Sequence, residues 1–222
     1  TFPKIQGRRE IVIQMATLLA TTIGGIIAGL SYQLTYGLSI LVVIISIFVL
    51  MQMKEIRNQH YVKTHILNDM KQQVIMSYQL IKEDHQIFYL ILSTSLFSAS
   101  LTTCYYYLTN YWTELGIKIS SISIFLSLEN VAAMIAGTLA YRILKHYSQK
   151  KLLLILPLGI VISMIGIPFY PISILAICVM AFFETILYIA MTTFLNEKVE
   201  SHLRATLLSV LSLGFSLVMI IY

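Results

Sequence analysis

The run 172-ISILAICVMAFFETILYIAMTTFL-195 carries a single charged residue, Glu184, among apolar, small and hydroxyl-bearing side chains. Crossing ~30 Å of hydrocarbon takes ~20 helical residues at ~1.5 Å each, and this run is long enough to do it. A membrane-barrel strand would alternate apolar and polar residues over about ten positions, a pattern that is absent. Six further runs share its character: Ile11–Leu30, Leu38–Met53, Ile87–Leu108, Ser121–Leu144, Leu152–Phe169 and Ala205 to the end. The shortest has an apolar core of only Ile40–Leu50 and relies on Ser39 and Gln52 to reach full width. Across 222 residues, 58% are hydrophobic and 11% charged, against roughly 25% charged in soluble globular domains. A water-soluble fold is excluded, and the sequence reads as an all-α polytopic membrane protein with about seven transmembrane helices.

The formal net charge of +5 does not point to nucleic acid, because the basic residues fall in short clusters between apolar runs. Alternate connections hold Lys4, Arg8 and Arg9; Lys54, Arg57, Lys63, Lys71 and Lys82; Arg142, Lys145, Lys150 and Lys151; and Lys198 and Arg204. Those are fourteen of the fifteen Lys and Arg. The other connections, Ser31–Gly37, Thr109–Ser120 and the turn at Tyr170-Pro171, hold only Lys118. Cytoplasmic loops retain Lys and Arg, so residues 1–10, 54–86, 145–151 and 196–204 read as the cytoplasmic side of a multi-pass protein of the cell membrane. Tyr105, Tyr106, Tyr107, Tyr111 and Trp112 cluster at the outer end of the third run, as amphipathic rings do in an interfacial belt. The chain starts at Thr1 and stops inside an apolar run, which reads as a fragment of a longer protein. Cys104 and Cys178 lie within apolar runs and read as buried thiols, with no disulfide framework or thiolate metal site.

Residues 54–86 divide the chain into two crossings and then five. The expected organisation is therefore 1–53 as the end of an N-terminal helical half, 54–86 as a cytoplasmic central loop, and 87–222 as a C-terminal half. Within the loop, Val62, Ile66, Met70, Val74, Tyr78 and Ile81 recur at mostly four-residue intervals. Lys63, Asp69, Lys71, Gln72, Gln73 and Lys82 occupy the rest of the turn. That pattern suits an amphipathic helix on the membrane surface or against the cytoplasmic ends of the bundle.

Two groups of crossings joined by a long cytoplasmic loop resemble the major facilitator superfamily, with this chain covering approximately helices five to eleven. Gly137, Leu139, Ala140, Tyr141 and Arg142, then Lys145, Lys150 and Lys151, resemble the loop motif of that family. Tyr141 stands where the motif has Asp, and the following Gly is absent. Gly24, Gly25 and Gly29 in the first run are similar to the glycine-rich helix five of proton-linked exporters, without the Gly-Pro pair of that motif. Ala16-Thr17-Leu18-Leu19-Ala20 with Gly25 also matches Ala205-Thr206-Leu207-Leu208-Ser209 with Gly214, as fifth and eleventh helices of a six-helix repeat would. The resemblance implies a partial two-half helical bundle. Small residues such as Gly24, Gly25, Gly29 and Gly137 would serve close helix contact.

Of the ten acidic residues, Glu129 and Glu184 lie deep inside apolar runs. A charge at mid-bilayer costs roughly 2.5–3.5 kcal/mol on insertion scales, so such a carboxyl either holds a proton or faces water, a cation or a donor. No Lys or Arg lies deep in any run. Glu184, Thr185, Tyr188, Thr192 and Asn196 form a polar stripe at helical spacing, flanked by Phe182 and Phe183. By resemblance this tenth helix lines the central cavity. The third run, as the seventh helix, would add a hydroxyl-rich wall of Ser93, Ser95, Ser98, Ser100, Thr102, Thr103 and Tyr105 to Tyr107. The competing reading has the hydroxyls bonded to backbone carbonyls and Glu184 protonated in a structural hydrogen bond.

Glu129 shares its side of the fourth run with Ala132, Ala133, Ala136, Gly137 and Ala140, beside a polar face of Ser120, Ser123, Ser127 and Asn130. By resemblance the eighth helix packs against the fifth, where Ala20, Gly24 and Ala28 offer a matching small surface, so Glu129 is expected between the halves. The alternative is a buried, protonated hydrogen-bonding group. His60, His65, His85, His146 and His202 lack metal-ligand spacing, and no Gly-Lys phosphate loop or serine elbow occurs. No metal, cofactor or enzymatic activity is expected.

The expectation is a secondary transporter of a small molecule, proton-coupled or driven by another cation, with efflux as one direction, moving by alternating access. Glu184 and Glu129, with Tyr188, Thr192 and Asn130, are the candidate substrate and proton groups. Arg142, Lys150 and Lys151 anchor a cytoplasmic turn, and the lipid bilayer is the surrounding partner. The alternative is a non-transporting multispan sensor or assembly subunit using the linker helix as its partner surface. An intramembrane enzyme would need paired catalytic groups on facing helices.

Overall fold

A computed structural model of the chain describes residues 2–53, 75–76, 78–79, 81–82, 84–199 and 201–221, with the side chains at 86, 149–150 and 201–205 excepted. Val62, Ile66, Met70 and Val74 of the expected amphipathic helix lie outside the described residues, as does the side chain of Lys150. The described residues form seven helices and no strand. These are α1 (Phe2–Leu30), α2 (Tyr32–Met51), α3 (His85–Glu114), α4 (Ile119–His146), α5 (Gln149–Met164), α6 (Ile172–Lys198) and α7 (Ser201–Ile221).

Five of the seven, α1, α2, α3, α4 and α6, are long and apolar enough to cross a membrane. The apolar stretches of α5 and α7, Lys151–Met164 and Thr206–Ile221, are shorter. Helix α5 stops at Met164 instead of running to Phe169. Ile165 and Gly166 turn back onto the Ile162 and Ser163 carbonyls, and Pro168 and Pro171 follow within a few residues.

The other boundaries move outward. Helix α1 begins at Phe2, with Pro3 in its first turn, where a missing N–H has no intrahelical acceptor to serve. The expected outer loop Ser31–Gly37 shrinks to Ser31 alone. Its backbone is extended (φ −161°, ψ 122°) and its hydroxyl accepts from the Leu34 N–H at 3.5 Å as the N-cap of α2. Helix α3 runs on to Glu114 and ends at Gly116. There φ is +77°, and the Ile117 N–H reaches back to the Trp112 carbonyl at 3.1 Å. That closure requires a left-handed residue just past the helix end, which glycine supplies without strain.

Lipid tails are as apolar as leucine, so helices in a bilayer associate through close packing and interhelical hydrogen bonds. The α1–α4 contact shows both. A Cβ on Gly7 would stand 2.6 Å from the Gly137 carbonyl oxygen, and one on Gly25 would overlap Ser123. Between them the Thr22 and Ser127 hydroxyls meet at 2.6 Å. Helices α3, α4, α5 and α6 share a second body of packing that includes Leu108, Trp112, Ile160, Ile177, Met180 and Ile186. Helix α7 leans on α3, where Ser95 donates to the Leu211 carbonyl at 3.3 Å and sits against Gly214.

These contacts agree with the charge segregation. Gly7 meets Gly137, and Lys198 meets Asp84, at the end bearing Lys4, Arg8, Arg9, Arg142, Lys145 and Lys151. Trp112 meets Ser173, and Tyr111 meets Pro168, at the opposite end near Lys118.

Candidate functional site

The polar stripe of α6 divides into two. Tyr188, Thr192 and Asn196 face the basic end of the bundle and line a cavity of ≈ 160 Å³ with Gln6 and Arg9 of α1 and Leu207 of α7. Thr185 turns away from it and is buried. The Thr192 hydroxyl donates to its own helix, at 2.9 Å from the Tyr188 carbonyl and 3.1 Å from that of Ile189. Glu184, one turn above Tyr188, is not among the residues lining this cavity. Its carboxyl instead lies within electrostatic reach of Glu129 on α4 and Tyr105 on α3. Cys178, on the same helix, lies within electrostatic reach of Glu129 as well.

Glu129 therefore occupies a different place from the one the small-residue pattern suggested. The α4 surface against α1 is made by Ser123, Ser127 and Gly137. Glu129 is displaced around the helix from that surface, toward α3 and α6. The correction has a geometric cause: Ser123, Ser127 and Gly137 share one face of a 3.6-residue helix, and position 129 lies about 120° from its centre. Of the small residues on α1, Gly25 makes the tight approach. A Cβ on Gly24 would meet nothing within 4 Å, and one on Gly29 only the Ser120 Cβ at 3.8 Å.

Most of the remaining candidates are satisfied locally, while Ser95 and Thr103 of α3 donate to Leu211 and Met219 of α7. Asn130 is buried and donates from Nδ2 to the Leu126 carbonyl at 2.8 Å. On α3, Ser93, Thr94, Ser100 and Thr102 donate to carbonyls three or four residues back. Arg142 and Lys151 are exposed, and among the described residues neither belongs to an ion pair.

The aromatic belt expected on α3 is only partly there. Tyr106 and Tyr107 are exposed, but Trp112 is fully buried. Its Nε1 donates to the Ser173 hydroxyl at 3.0 Å, and its ring packs edge-on against Phe125 at 5.4 Å. An indole at the meeting of α3, α4 and α6 gains more from that close packing than from the membrane interface.

Two residues acquire a place that their position in the sequence did not suggest. Glu10 falls just before the first apolar run, yet it is buried against α4 beside Gly137, with Arg9 at 3.9 Å. Its spacing of three from Gly7, on the same helical face, is the available signal. The other is Tyr105, whose hydroxyl is buried with no hydrogen bond of normal geometry, while Glu129 lies within its reach and Glu184 within electrostatic reach.

Among the described residues no group of three His, Cys, Asp or Glu side chains is arranged to hold a metal ion. The ion pairs described, Arg9–Glu10 and Lys198–Asp84, lie elsewhere. Two acids from different helices thus lie within electrostatic reach of each other, with no Lys or Arg among the groups that act on them.

Comparison with curated proteins and with solved structures finds no match. The family model described as Major Facilitator Superfamily matches residues 2–222, and the chain belongs to that family of membrane transporters.

Proposed function

We propose that this transporter is proton-coupled and moves a cationic small molecule by alternating access. Residues 1–53 are the end of one helical half, 54–86 the cytoplasmic link and 87–222 the other half. The basic end of the bundle faces the cytoplasm. Glu184 is the principal exchanging group and Glu129 the second. The observation that carries the reading is the convergence of these carboxyls from α6 and α4 beside a hydroxyl of α3, in a region of the described bundle without Lys or Arg. Either carboxyl is neutral with its proton bound and offers one negative charge without it. Loading a monovalent cation against release of one proton therefore conserves the charge of the site while the halves close around it.

The cavity lined by Tyr188, Thr192, Asn196 and Arg9 supports an approach from the basic end. We assign export as the direction, from the likeness of the α1 glycines to those of proton-linked exporters. The test is flux through the full-length protein in proteoliposomes under an imposed proton gradient, with ethidium and a series of monovalent amines as probes. Wild type moves at least one of them up its gradient, and Glu184→Gln loses gradient-driven movement tenfold or more. Undiminished coupled flux in Glu184→Gln, or movement of none of the probes by wild type, overturns the reading.

A further inference from the structure

Most buried hydroxyls in this bundle donate to their own helix. Thr94 does so on α3, Ser127 on α4 and Ser163 on α5, at 2.6–2.7 Å. A tyrosine hydroxyl stands too far from its backbone for that arrangement, so it must find a partner on another element. Tyr111 and Trp112 of the same helix do, at Pro168 and Ser173. Tyr105 does not: its hydroxyl is buried and makes no hydrogen bond of normal geometry, with the Glu129 carboxyl as the acceptor within its reach. A buried polar atom without a partner costs about 1–3 kcal/mol. A family of two-state transporters offers a reason to retain one, because a donor idle in one state is available in another.

The groups around the Tyr105 hydroxyl define what it serves. Glu129 of α4 lies within hydrogen-bonding reach of it, Glu184 of α6 within electrostatic reach, and Cys104 is its neighbour on α3. Cys178 of α6 lies within electrostatic reach of Glu129. Among the described residues no titratable or charged group of α1, α2, α5 or α7 acts on this set. The site thus has two possible anions, a single phenolic donor and no cation of its own.

We infer that Tyr105 is the positioning residue that couples Glu129 to Glu184, donating its hydroxyl hydrogen bond to whichever of the two carboxyls is ionised. The inference rests on the proton-coupled reading above and deepens it. Two nearby carboxyls in a low-dielectric region resist ionising together and lose their protons in separated steps. One donor can strengthen only one carboxylate at a time, so Tyr105 stabilises the singly ionised pair. The proton released goes to water or leaves as a cation arrives, and the phenol keeps its own proton throughout. Because the carboxyls sit on different helices, a proton passing from Glu184 to Glu129 moves the negative charge from α4 to α6 with no net proton released, and the Tyr105 donor turns to the carboxylate newly formed.

Infrared absorption of protonated carboxyls in the full-length protein, reconstituted in lipid and titrated with pH, tests this without any transported ligand. Glu129→Gln and Glu184→Gln identify the two contributions. Coupling predicts that Glu129→Gln moves the titration step that remains for Glu184. Tyr105→Phe keeps the ring and removes the donor to the anion. It shifts the first proton release to higher pH by about one unit, a tenfold change in proton affinity. Tyr106→Phe, at an exposed neighbour, leaves both steps in place.

An unmoved Glu184 step in Glu129→Gln removes the coupling. An unmoved first step in Tyr105→Phe, or an equal shift in Tyr106→Phe, removes the role of Tyr105. Failure here with coupled flux lost in Glu184→Gln leaves the transport reading standing. The expected shifts together with normal flux in Glu184→Gln sink that reading and leave the coupled pair.

Discussion

Helices α2 and α6 are both apolar enough to cross a bilayer, with mean hydropathies of 2.6 and 2.3 over their best windows, yet they meet opposite surroundings. Helix α2 buries no residue. Helix α6 buries Ser173, Ala176, Ala181, Thr185, Ala190 and Thr193 along with its larger side chains. The difference lies in residue size and not in hydrophobicity. Residues 40–50 of α2, ILVVIISIFVL, are almost all branched or large. They present a bulky surface that lipid tails cover as well as protein would. Helix α6 interrupts its large residues with Ala, Ser and Thr, which let neighbouring backbones approach and give hydroxyls partners across the contact. Small residues, and the polar groups they admit, mark the helices that carry the bundle.

If close approach is what separates the two kinds of helix, the largest effect should follow from filling the tightest approach of backbones. A Cβ on Gly7 meets the Gly137 carbonyl oxygen, an atom with no rotamer to move away. Gly7→Leu is expected to cost ~3 kcal/mol or more and to lower the thermal unfolding temperature of the purified full-length protein sharply. Gly24→Leu, which meets open space, should leave it within ~0.5 kcal/mol of wild type. Equal behaviour of the two variants would mean that the α1–α4 seam does not depend on its glycines.

The same comparison extends to α6 against α2. Ala181 is 3% exposed, and Ala181→Leu overfills its contact at about 1–3 kcal/mol. Ile45→Ala on α2 removes more side chain and should cost less, because lipid occupies the space left behind. Thermal unfolding of both variants ranks them. The reverse order would show α2 to be held by protein contacts.

Helix existence was legible in the sequence because a long apolar run has few other structures open to it in a bilayer. The ends of the helices were less so. Polar residues such as Arg8, Arg9 and Glu10 of α1, or Tyr32 to Gly37 of α2, break an apolar run without breaking a helix. Composition cannot separate those two events. The deep carboxyls were visible as exceptions to the pattern. Their neighbours were not, since Glu129 and Tyr105 come from separate helices and meet through tertiary packing. Rotation about each helix axis decided the rest. It put Gly25 rather than Gly24 in the seam, and it drew Trp112 inward while Tyr106 stayed outside.

The smallest effect concerns the ends of the two helices. Helix α2 finishes at Gln52, whose N–H returns to the Val49 and Leu50 carbonyls of its own last turn. Helix α6 finishes at Lys198, whose Nζ reaches Asp84 Oδ2 at 3.1 Å and lies 5.1 Å from the centre of the Phe194 ring. Asp84 stands just before α3, and its other oxygen accepts from the Ile87 N–H at 3.4 Å. The pair therefore joins a cation at a helix C-terminus to an anion at a helix N-terminus, each complementing a macrodipole. Both side chains are about a third exposed, so water screens the attraction and the tie is worth ~0.2–1 kcal/mol. Lys198→Met should lower the unfolding temperature less than Ala181→Leu does, and the gap to wild type should narrow further in ~1 M salt. A loss as large as that of Ala181→Leu, undiminished by salt, would mean that α6 is held by its polar end rather than by the small residues along its length.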